Sequence, residues 1–292
     1  MDSEVVLELI DQQKWLEPVA DGLQGAVDGA YAAGGDAGQK IKNFLHGTWL
    51  GHPLHPVITD VPIGAWTAAL ALDVAQLTTG RKEFGQGADV AIELGLLGAV
   101  GAALAGLTDW SDTDGRARKA GVVHGLLNVG ATVLYTSSLL LRKREQRGKA
   151  QALAMLGYAI SGASAYLGGS LVYHEKIGVD HAPREALPEK FVPVMLDADL
   201  PENKLVRVKA NGVKVLLVRR GEQIHALADA CSHLSGPLSE GELEGNSVRC
   251  PWHGSCFALD DGHVIDGPAT HPQPCLEARV RSGYIEVRAI QE

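Results

Sequence analysis

Long apolar stretches fill the first part of the chain, and short runs of alternating polarity fill its final third. Four stretches approach the roughly 20 apolar residues that a helix needs to cross a bilayer, at 61–79, 88–109, 120–141 and 150–173. The last two contain no Asp, Glu, Lys or Arg. Charges in the first two leave a buried soluble hairpin as the competing interpretation there. The pattern favours an all-α four-helix transmembrane bundle over residues 43–182.

Residues 1–42 precede this bundle. Leu9, Leu16 and Leu23 are spaced seven apart, which predicts an amphipathic helix on the membrane surface or against the bundle. The acidic polar face favours packing against the bundle. Residues 25–43 are rich in Gly and Ala and are interpreted as a linker. The acidic start lacks the positive region of a secretory signal peptide, so we expect none.

A different pattern begins after the linker at 176–190. Asn211-Gly212 separates two β-like runs, which is the strongest short hairpin signal, and Ser282-Gly283 separates another pair. We expect a small all-β domain over residues 188–292. The chain is therefore predicted to contain two domains of different class.

Composition limits the function classes. The chain has 292 residues, 46% of them hydrophobic, and a formal net charge of −9. Nucleic-acid binding depends on clustered Lys and Arg, and no such cluster dominates here. The partners expected from the sequence are the lipid bilayer and redox proteins, with a quinone as a further candidate and no nucleic acid.

Ionisable residues near the predicted spans gather on one side. With four crossings, one side of the membrane carries His46, His52, His55, Asp60, Asp109, Asp112, His124 and His174. Ionisable groups at membrane depth often mark pathways or cofactors. His52, His55, His124 and His174 are therefore candidates for binding haem b, a quinone or another metal. The alternative for each is a hydrogen-bonded interfacial residue.

Three motifs extend this prediction by resemblance. GHPLHPVITDVPIGAW (51–66), LTDW (107–110) and GGSLVY (168–173) resemble a family of bacterial four-helix membrane domains whose function is unassigned. The resemblance spans about residues 43–182. It implies an integral membrane protein of the bacterial plasma membrane and supplies no chemistry.

Two short loops in the β domain each combine a thiol and an imidazole. Cys231 precedes His233 by two residues, and Cys250 precedes His253 by three. Two such loops facing each other could give two Cys to one iron and two His to another. A Cys₂His₂ zinc site is the alternative, but zinc fingers usually pair like ligands within an arm. The mixed arms therefore favour a two-iron cluster.

The surroundings of these loops resemble a known family. CSHLSGPL (231–238), CPWHGSCF (250–257) and GPATHP (267–272) resemble the cluster loops and covering loop of Rieske [2Fe-2S] ferredoxin-type domains. The resemblance implies that the metal ligands are Cys231, His233, Cys250 and His253. It also implies that the residues around the cluster include Leu234, Gly254, Ser255 and Pro268.

Departures from the high-potential members indicate which type of Rieske domain this is. Those members carry an extra cysteine in each loop, whereas Trp252 and the Leu234-Ser235-Gly236 run stand here. Cys256 and Cys275 are therefore interpreted as free thiols. Ser255 is expected to donate a hydrogen bond to the cluster, and Phe257 replaces a tyrosine donor. The expected potential is low to intermediate within about −150 to +300 mV.

The leading functional hypothesis is a membrane-tethered one-electron carrier resembling the ferredoxins of aromatic-ring dioxygenases. A haem- or quinone-binding oxidoreductase, which passes electrons between bundle and cluster, is the alternative. An iron–sulfur redox sensor is a second alternative. No catalytic residue is assigned, since the chain shows neither a catalytic iron domain after His253 nor a nucleotide-binding glycine motif. We therefore expect an electron-transfer component of an oxidoreductase system.

Orientation is balanced between two arguments. Basic residues in the loops 81–88 and 142–149 favour a cytoplasmic position for those loops, with the Rieske domain outside. Cytoplasmic cluster loading and the absence of a twin-arginine signal before the fourth span favour the opposite orientation. We lean slightly to a cytoplasmic Rieske domain.

Overall fold

The computed structural model describes residues 3–290, which form seven helices followed by a β domain. The described part of the chain divides into two compact units, one of residues 3–34 and 54–177 and the other of residues 35–53 and 178–290. The helices are α1 (Ser3–Asp11), α2 (Leu16–Ala33), α3 (Gly35–His46), α4 (Leu54–Thr79), α5 (Lys82–Ser111), α6 (Gly115–Lys143) and α7 (Arg147–Tyr173).

The N-terminal segment is two helices. Of the three leucines spaced seven apart, Leu16 is buried, whereas Leu9 is 53% exposed and Leu23 is 42% exposed. Leu7 of α1 and Leu16 of α2 are fully buried in apolar clusters that include residues of α6. Arg116 pairs with Glu4 at 2.6 Å, so the acidic face meets a basic one. The residues interpreted as a linker at 25–43 are helical, in α2 and α3.

Three helices, α4, α5 and α6, are long and apolar enough to cross a membrane. α7 has similar length but does not reach the same apolar character, because Gly, Ser and Tyr are frequent in it. All four helices extend beyond the predicted spans, most of all α4, which begins at Leu54 and continues through Pro62. The predicted count of four spans is thus supported for three.

In the helical unit, apolar side chains are exposed and charged side chains are buried, which is the reverse of a soluble protein. Leu97 is 73% exposed and Val90 65%, whereas Asp73, Arg142 and Gln151 are buried. In water this arrangement would leave apolar surface unburied while charges occupy the core, whereas lipid favours it. The distribution weighs against the soluble hairpin considered for the first two spans.

An internal repeat relates the hairpin α4–α5 to the hairpin α6–α7. Three pairs join α4 to α6 at equal sequence intervals and in the same order along both helices: His55 with His124, Trp66 with Tyr135, and Asp73 with Arg142. The Trp66 and Tyr135 rings stack with centres 4.1 Å apart. Equal intervals and common order mean that α4 and α6 run parallel, with equivalent positions facing each other.

The second helix of each hairpin repeats as well. Gly95 of α5 lies under the Trp66 ring, and Gly157 of α7 lies under the Tyr135 ring. A Cβ at Gly95 would stand 2.2 Å from Trp66 Nε1, and one at Gly157 would stand 3.2 Å from Tyr135 Cε2. Glycine at these places lets a large ring reach the axis between the hairpins.

The β domain contains two antiparallel sheets. The six-stranded sheet has the order β1-β10-β9-β4-β3-β2, and the four-stranded sheet has the order β5-β6-β7-β8. The strands are β1 (Val192–Leu196), β2 (Val206–Ala210), β3 (Val213–Arg220), β4 (Gln223–Ala228), β5 (Glu242–Glu244), β6 (Ser247–Arg249), β7 (Cys256–Ala258), β8 (Val264–Asp266), β9 (Cys275–Arg281) and β10 (Tyr284–Ala289).

Both predicted hairpins are confirmed. Ala210 pairs with Val213 around Asn211-Gly212, whose φ angles of 50° and 89° match a tight hairpin turn. Arg281 pairs with Tyr284 around Ser282-Gly283 in the same way. Apolar side chains from β2, β3, β4, β9 and β10 form one core cluster, and a second cluster lies beneath the loops that carry the cysteines.

Helix α3 packs on the β domain. Asn43 Oδ1 accepts a hydrogen bond from the backbone N–H of Gly267 at 3.0 Å, and Asn43 Nδ2 donates to Asp266 Oδ1 at 2.9 Å. The buried ring of His46 lies against Gly267, where a Cβ would approach it to 2.9 Å. A segment that precedes the bundle in sequence therefore belongs to the compact unit of the cysteine-bearing domain.

Candidate metal centre

Two loops carry the four predicted ligands, one after β4 and one after β6. Cys231 closes the first loop through its N–H, which donates to Gly236 O at 2.8 Å. Cys250 closes the second through its N–H, which donates to Ser255 O at 2.8 Å. These bonds fix both cysteines at the start of rigid turns, which holds their side chains in place before any metal binds.

The two thiols meet in the interior. Cys231 and Cys250 are both buried and hydrogen-bonded to each other. The bond from Cys231, with the backbone N–H groups of Trp252 and His253, lowers the pKa of Cys250 to about 6. The same bond and burial raise the pKa of Cys231. One sulfur is thus prepared as a thiolate, the form that binds metals.

The imidazoles lie beside the thiols. The His233 and His253 ring centres are 5.0 Å apart with planes at 88°, and both residues are half-buried. No group of three or more His, Cys, Asp or Glu in residues 3–290 converges on one metal position. Two irons that each take two protein ligands, with sulfide completing the coordination, suit this arrangement of two thiols and two imidazoles.

Gly236 is a contributor that the sequence reasoning missed. A Cβ there would stand 2.7 Å from Cys250 Sγ and 3.2 Å from the Trp252 ring. Because glycine has no side chain, the first loop can pass this close to the second. A side chain at position 236 would occupy the space between the two thiols. The Ser-Gly pair inside the first loop was the one available signal.

The residues that the sequence predicts around a cluster lie in or beside the two loops. Ser255 is fully buried, hydrogen-bonds to the Cys231 sulfur and accepts the Ala269 N–H at 3.0 Å. Pro268 is buried beside Ala269, and Leu234 is half-buried next to His233.

Gly254 has a structural part in the second loop. Its N–H donates to Cys250 O at 3.2 Å, and its φ of 77° lies in the left-handed region. Glycine adopts this conformation without strain.

The remaining cysteines lie outside the ligand set. Cys256 and Cys275 are free thiols, as expected. Burial raises the pKa of both, that of Cys275 to about 11. Cys256 begins β7 and Cys275 begins β9, so both thiols stand on strands rather than on the two ligand loops.

Arg249 stabilises the second loop, and the sequence did not predict this role. It donates to Gly254 O at 2.7 Å and pairs with Glu244 at 2.7 Å and Asp266 at 3.1 Å. The bond from Arg249 lowers the pKa of Glu244. One guanidinium thus ties the cluster loop to β5 and to the strand before the covering loop.

The four bundle histidines do not form one site. His52 precedes α4, is exposed, and its Nδ1 lies 3.2 Å from Pro53 O. His174 follows α7, is exposed, and its Nε2 lies 2.6 Å from Ser3 Oγ. Both stand at helix ends, where their backbone position keeps the rings at the surface. Only His55 and His124 face each other, with ring centres 6.3 Å apart.

Known proteins share both parts of the chain. Residues 190–277 match the profile of the Rieske [2Fe-2S] domain, and residues 51–181 match that of the predicted membrane protein family DUF2231. Ferredoxin CarAc of Metapseudomonas resinovorans is 34% identical over 98 residues, which are 33% of this chain and 92% of that protein. The 3-phenylpropionate/cinnamic acid dioxygenase ferredoxin subunit of Escherichia coli (strain K12) is 36% identical over 89 residues, 30% of this chain and 83% of that one.

A longer relative matches only in part. Human apoptosis-inducing factor 3 is 30% identical over 135 residues, which are 44% of this chain and 22% of that protein. Fold, site and relatives together define a Rieske-type iron–sulfur domain. The chain belongs to the Rieske [2Fe-2S] family through residues 190–277, which follow a DUF2231 membrane-protein domain. Haem and quinone receive no support from these relatives.

Proposed function

We propose that the protein is a membrane-tethered one-electron carrier in which Cys231 and Cys250 hold one iron of the cluster and His233 and His253 hold the other. The observation that carries this proposal is the pairing itself. Two hydrogen-bonded thiols and two imidazoles 5.0 Å apart meet on facing loops. Each pair supplies two ligands, as a Rieske cluster requires.

The residues around the site tune the electron affinity. A [2Fe-2S] cluster supplies reversible one-electron chemistry when bound. The cysteine sulfurs accept hydrogen bonds from the Ser255 hydroxyl and from the N–H groups of Trp252 and His253. These bonds favour the reduced state of the cluster because that state carries more negative charge. Phe257 is fully buried and offers no hydroxyl. The potential is therefore low to intermediate for a Rieske centre.

Electrons enter and leave at the histidine edge. Trp252 is 57% exposed, and its ring centre lies 6.4 Å from that of the half-buried His253. An exposed aromatic side chain beside a ligand suits a transient protein interface. The donor and acceptor are thus redox proteins, and an oxygenase-type acceptor follows from the ferredoxin relatives.

The tether is a four-span bundle in the bacterial plasma membrane, with α7 as the fourth span. An even number of crossings returns the chain to its starting side, and we place that side in the cytoplasm. Green fluorescent protein fused after Glu292 is expected to fluoresce, and alkaline phosphatase there to be inactive. An active phosphatase fusion would reverse the orientation.

A redox titration of the full chain in detergent, followed by optical and electron paramagnetic resonance spectra, tests the central proposal. We expect a reversible one-electron transition with a Rieske-type spectrum. Alanine at His233 should abolish that spectrum, whereas alanine at His225, which is buried elsewhere in the domain, should leave it. A wild-type protein without iron and sulfide after anaerobic reconstitution would refute the proposal.

A second candidate, an oxidoreductase whose bundle binds its own cofactor, is favoured by one observation. His55 and His124 face each other across the internal repeat.

A further inference from the structure

Helix α2 carries an exposed apolar face along most of its length. Trp15, which directly precedes the helix, is 54% exposed, and Leu23 is 42% exposed. The face consists of exposed residues spaced by three or four, which are Trp15, Val19, Leu23, Ala26 and Ala30. That spacing places them on one side of the helix. We call this face the outer stripe.

A second face of α2 packs on the helical bundle. Leu16 and Ala20 are fully buried in an apolar cluster with Val122 of α6. Further along the same face, Gln24 Nε2 donates a hydrogen bond to Thr113 O at 2.9 Å. This face is therefore covered by α6 and by the turn between α5 and α6, and the outer stripe is not part of it.

The third face of α2 is polar. Asp21 pairs with Arg118 at 2.8 Å, yet its side chain stays 63% exposed. Asp28 lies two turns later and is exposed as well, and a Cβ at Gly25, between them, would meet no atom within 4 Å. The helix thus has one face toward protein, one apolar exposed face and one polar exposed face. A helix at the boundary of lipid and water, packed on a membrane bundle, requires this division.

Helix α2 runs across the end of the bundle rather than along it. Its 18 residues extend over about 27 Å. It contacts α6 at Val122, seven residues after the start of that helix, and Tyr31 Oη lies 2.6 Å from Thr108 Oγ1 in the last turn of α5. These contacts cover only about 10 Å of depth along the bundle. The helix therefore lies at the level where α5 ends and α6 begins.

The length of the spans places this level in the headgroup region of a bilayer. Helix α5 has 30 residues and α6 has 29. At 1.5 Å per residue each is about 45 Å long, whereas the hydrocarbon core is about 30 Å thick and the bilayer with its headgroups about 40–45 Å. The end of α5 therefore reaches the boundary of lipid and water, where amphipathic helices lie in the membrane plane.

We propose that the outer stripe of α2 inserts into this lipid interface, so that α2 lies in the membrane plane against the bundle. Helix α1 extends the apolar surface with Val5 and Leu9, which are 46% and 53% exposed. Trp15 suits this level because tryptophan is enriched at membrane–water interfaces. This placement rests on the membrane tether of the proposed function and not on the cluster.

Apolar contact rather than charge holds α2 on the lipid. Residues 3–33 contain several acidic residues and a single basic one, Lys14. The acidic side chains of Asp11 and Glu17 pair with Lys119 of α6, both at 3.1 Å. Anionic lipids attract segments that are rich in Lys and Arg. We therefore expect α1 and α2 to show no preference for anionic lipids.

The test uses the full chain in phosphatidylcholine liposomes that contain a lipid with a photoactivatable diazirine in its acyl chain, followed by mass spectrometry of the labelled residues. We expect label on Val19 and Leu23, and on Leu97 of α5, which is 73% exposed. Asp21 and Gly25, on the polar face, should carry at least roughly tenfold less label. Replacing half of the lipid with phosphatidylglycerol should leave this pattern unchanged.

Two matched variants place the same charge on different faces of α2. Leu23→Glu puts a carboxylate in the outer stripe and should reduce the label on Val19 at least roughly fivefold, because a charge in the apolar region of the bilayer is costly. Gly25→Glu puts it on the polar face, where no atom lies within 4 Å, and should leave the label unchanged. Both positions are exposed, so both variants should keep the helical circular dichroism of the wild-type chain.

Three results would overturn the proposal. An unlabelled outer stripe beside a labelled Leu97 would mean that a second copy or another protein covers this face, while the bundle still spans the bilayer. Equal label on all faces of α2 would mean that the helix does not lie at the boundary. Absence of label from Leu97 as well would refute the membrane tether itself. The Rieske spectrum of the same samples reports on the electron carrier separately.

Discussion

The two histidine pairs of this protein are built in opposite ways. His233 and His253 stand on loops, each within a few residues of a cysteine, with ring centres 5.0 Å apart. His55 and His124 stand on parallel helices of a repeat, with ring centres 6.3 Å apart. A loop site concentrates its donors in short motifs. A helix site spreads them one per helix, because side chains on one helix face recur only every three or four residues.

The interactions that stabilise the two regions also differ. The cluster loops depend on backbone hydrogen bonds within each turn and on Arg249, which lies at the domain surface. The bundle depends on buried polar groups, above all the Asp73–Arg142 pair, with Asp89 2.8 Å from the same guanidinium. Loss of a loop donor should thus empty one site. Loss of a bundle charge should destabilise the whole unit.

The largest expected effect is on the cluster. Cys250→Ser removes a ligand whose pKa is already lowered to about 6, and we expect no Rieske spectrum and no bound iron. Iron and sulfide analysis of the purified chain measures this. Cys256→Ser and Cys275→Ser, which change free thiols outside the ligand set, should retain the cluster. Cluster loss in all three variants would contradict the assignment.

The next effect concerns the bundle. Arg142→Met leaves Asp73 buried without its main cation, and breaking a buried pair costs about 3–5 kcal/mol. Thermal unfolding of the detergent-purified chain should show a large loss of helical stability, while the Rieske spectrum persists to its usual temperature. The double variant Asp73→Leu/Arg142→Met should recover much of the loss. Lys143→Met, at an exposed neighbour, is the control.

A smaller effect is expected where α3 meets the β domain. Asn43→Ala leaves the Gly267 N–H without its acceptor, which costs about 1–3 kcal/mol for a buried donor. The temperature at which the cluster spectrum is lost should fall. Lys40→Ala, an exposed residue of the same helix, should have no effect. An equal shift in both variants would mean that Asn43 does not support the covering loop.

The smallest effect tests the tuning of the cluster. Ser255→Ala removes a donor to the Cys231 sulfur and should lower the reduction potential. A hydrogen bond worth about 0.5–1.5 kcal/mol corresponds to roughly 20–65 mV for one electron. Ser247→Ala, which removes another buried serine of the domain, should leave the potential unchanged. A potential that does not move in Ser255→Ala would show that its hydroxyl does not act on the cluster.

Much of the β domain could be predicted because its signals are local. Asn211-Gly212 and Ser282-Gly283 specify turns through their own backbone preferences, and both hairpins are present. The ligand spacing predicted which cysteines meet, since each loop carries its own thiol and imidazole. Gly236 and Arg249 escaped prediction because their roles depend on a second loop that lies elsewhere in the sequence.

In the bundle, the length of the apolar stretches predicted the helices but not which helices face each other. The constant interval between His55 and His124, Trp66 and Tyr135, and Asp73 and Arg142 was visible in the sequence, yet the three pairs share few residue types. Chemically different partners such as Trp with Tyr, or Asp with Arg, hide a repeat from residue matching. Their equivalence emerges once α4 and α6 face each other.

The sequence by itself determined the two-domain order, the hairpin turns and the Cys–His motifs, because each depends on a few neighbouring residues. Tertiary structure alone decided that His55 and His124 meet while His52 and His174 do not, and that α3 joins the β domain. The physical reason is the range of the interactions. Turn preferences and ligand spacing act within a few residues, whereas a facing pair of helices requires the packing of many side chains at once.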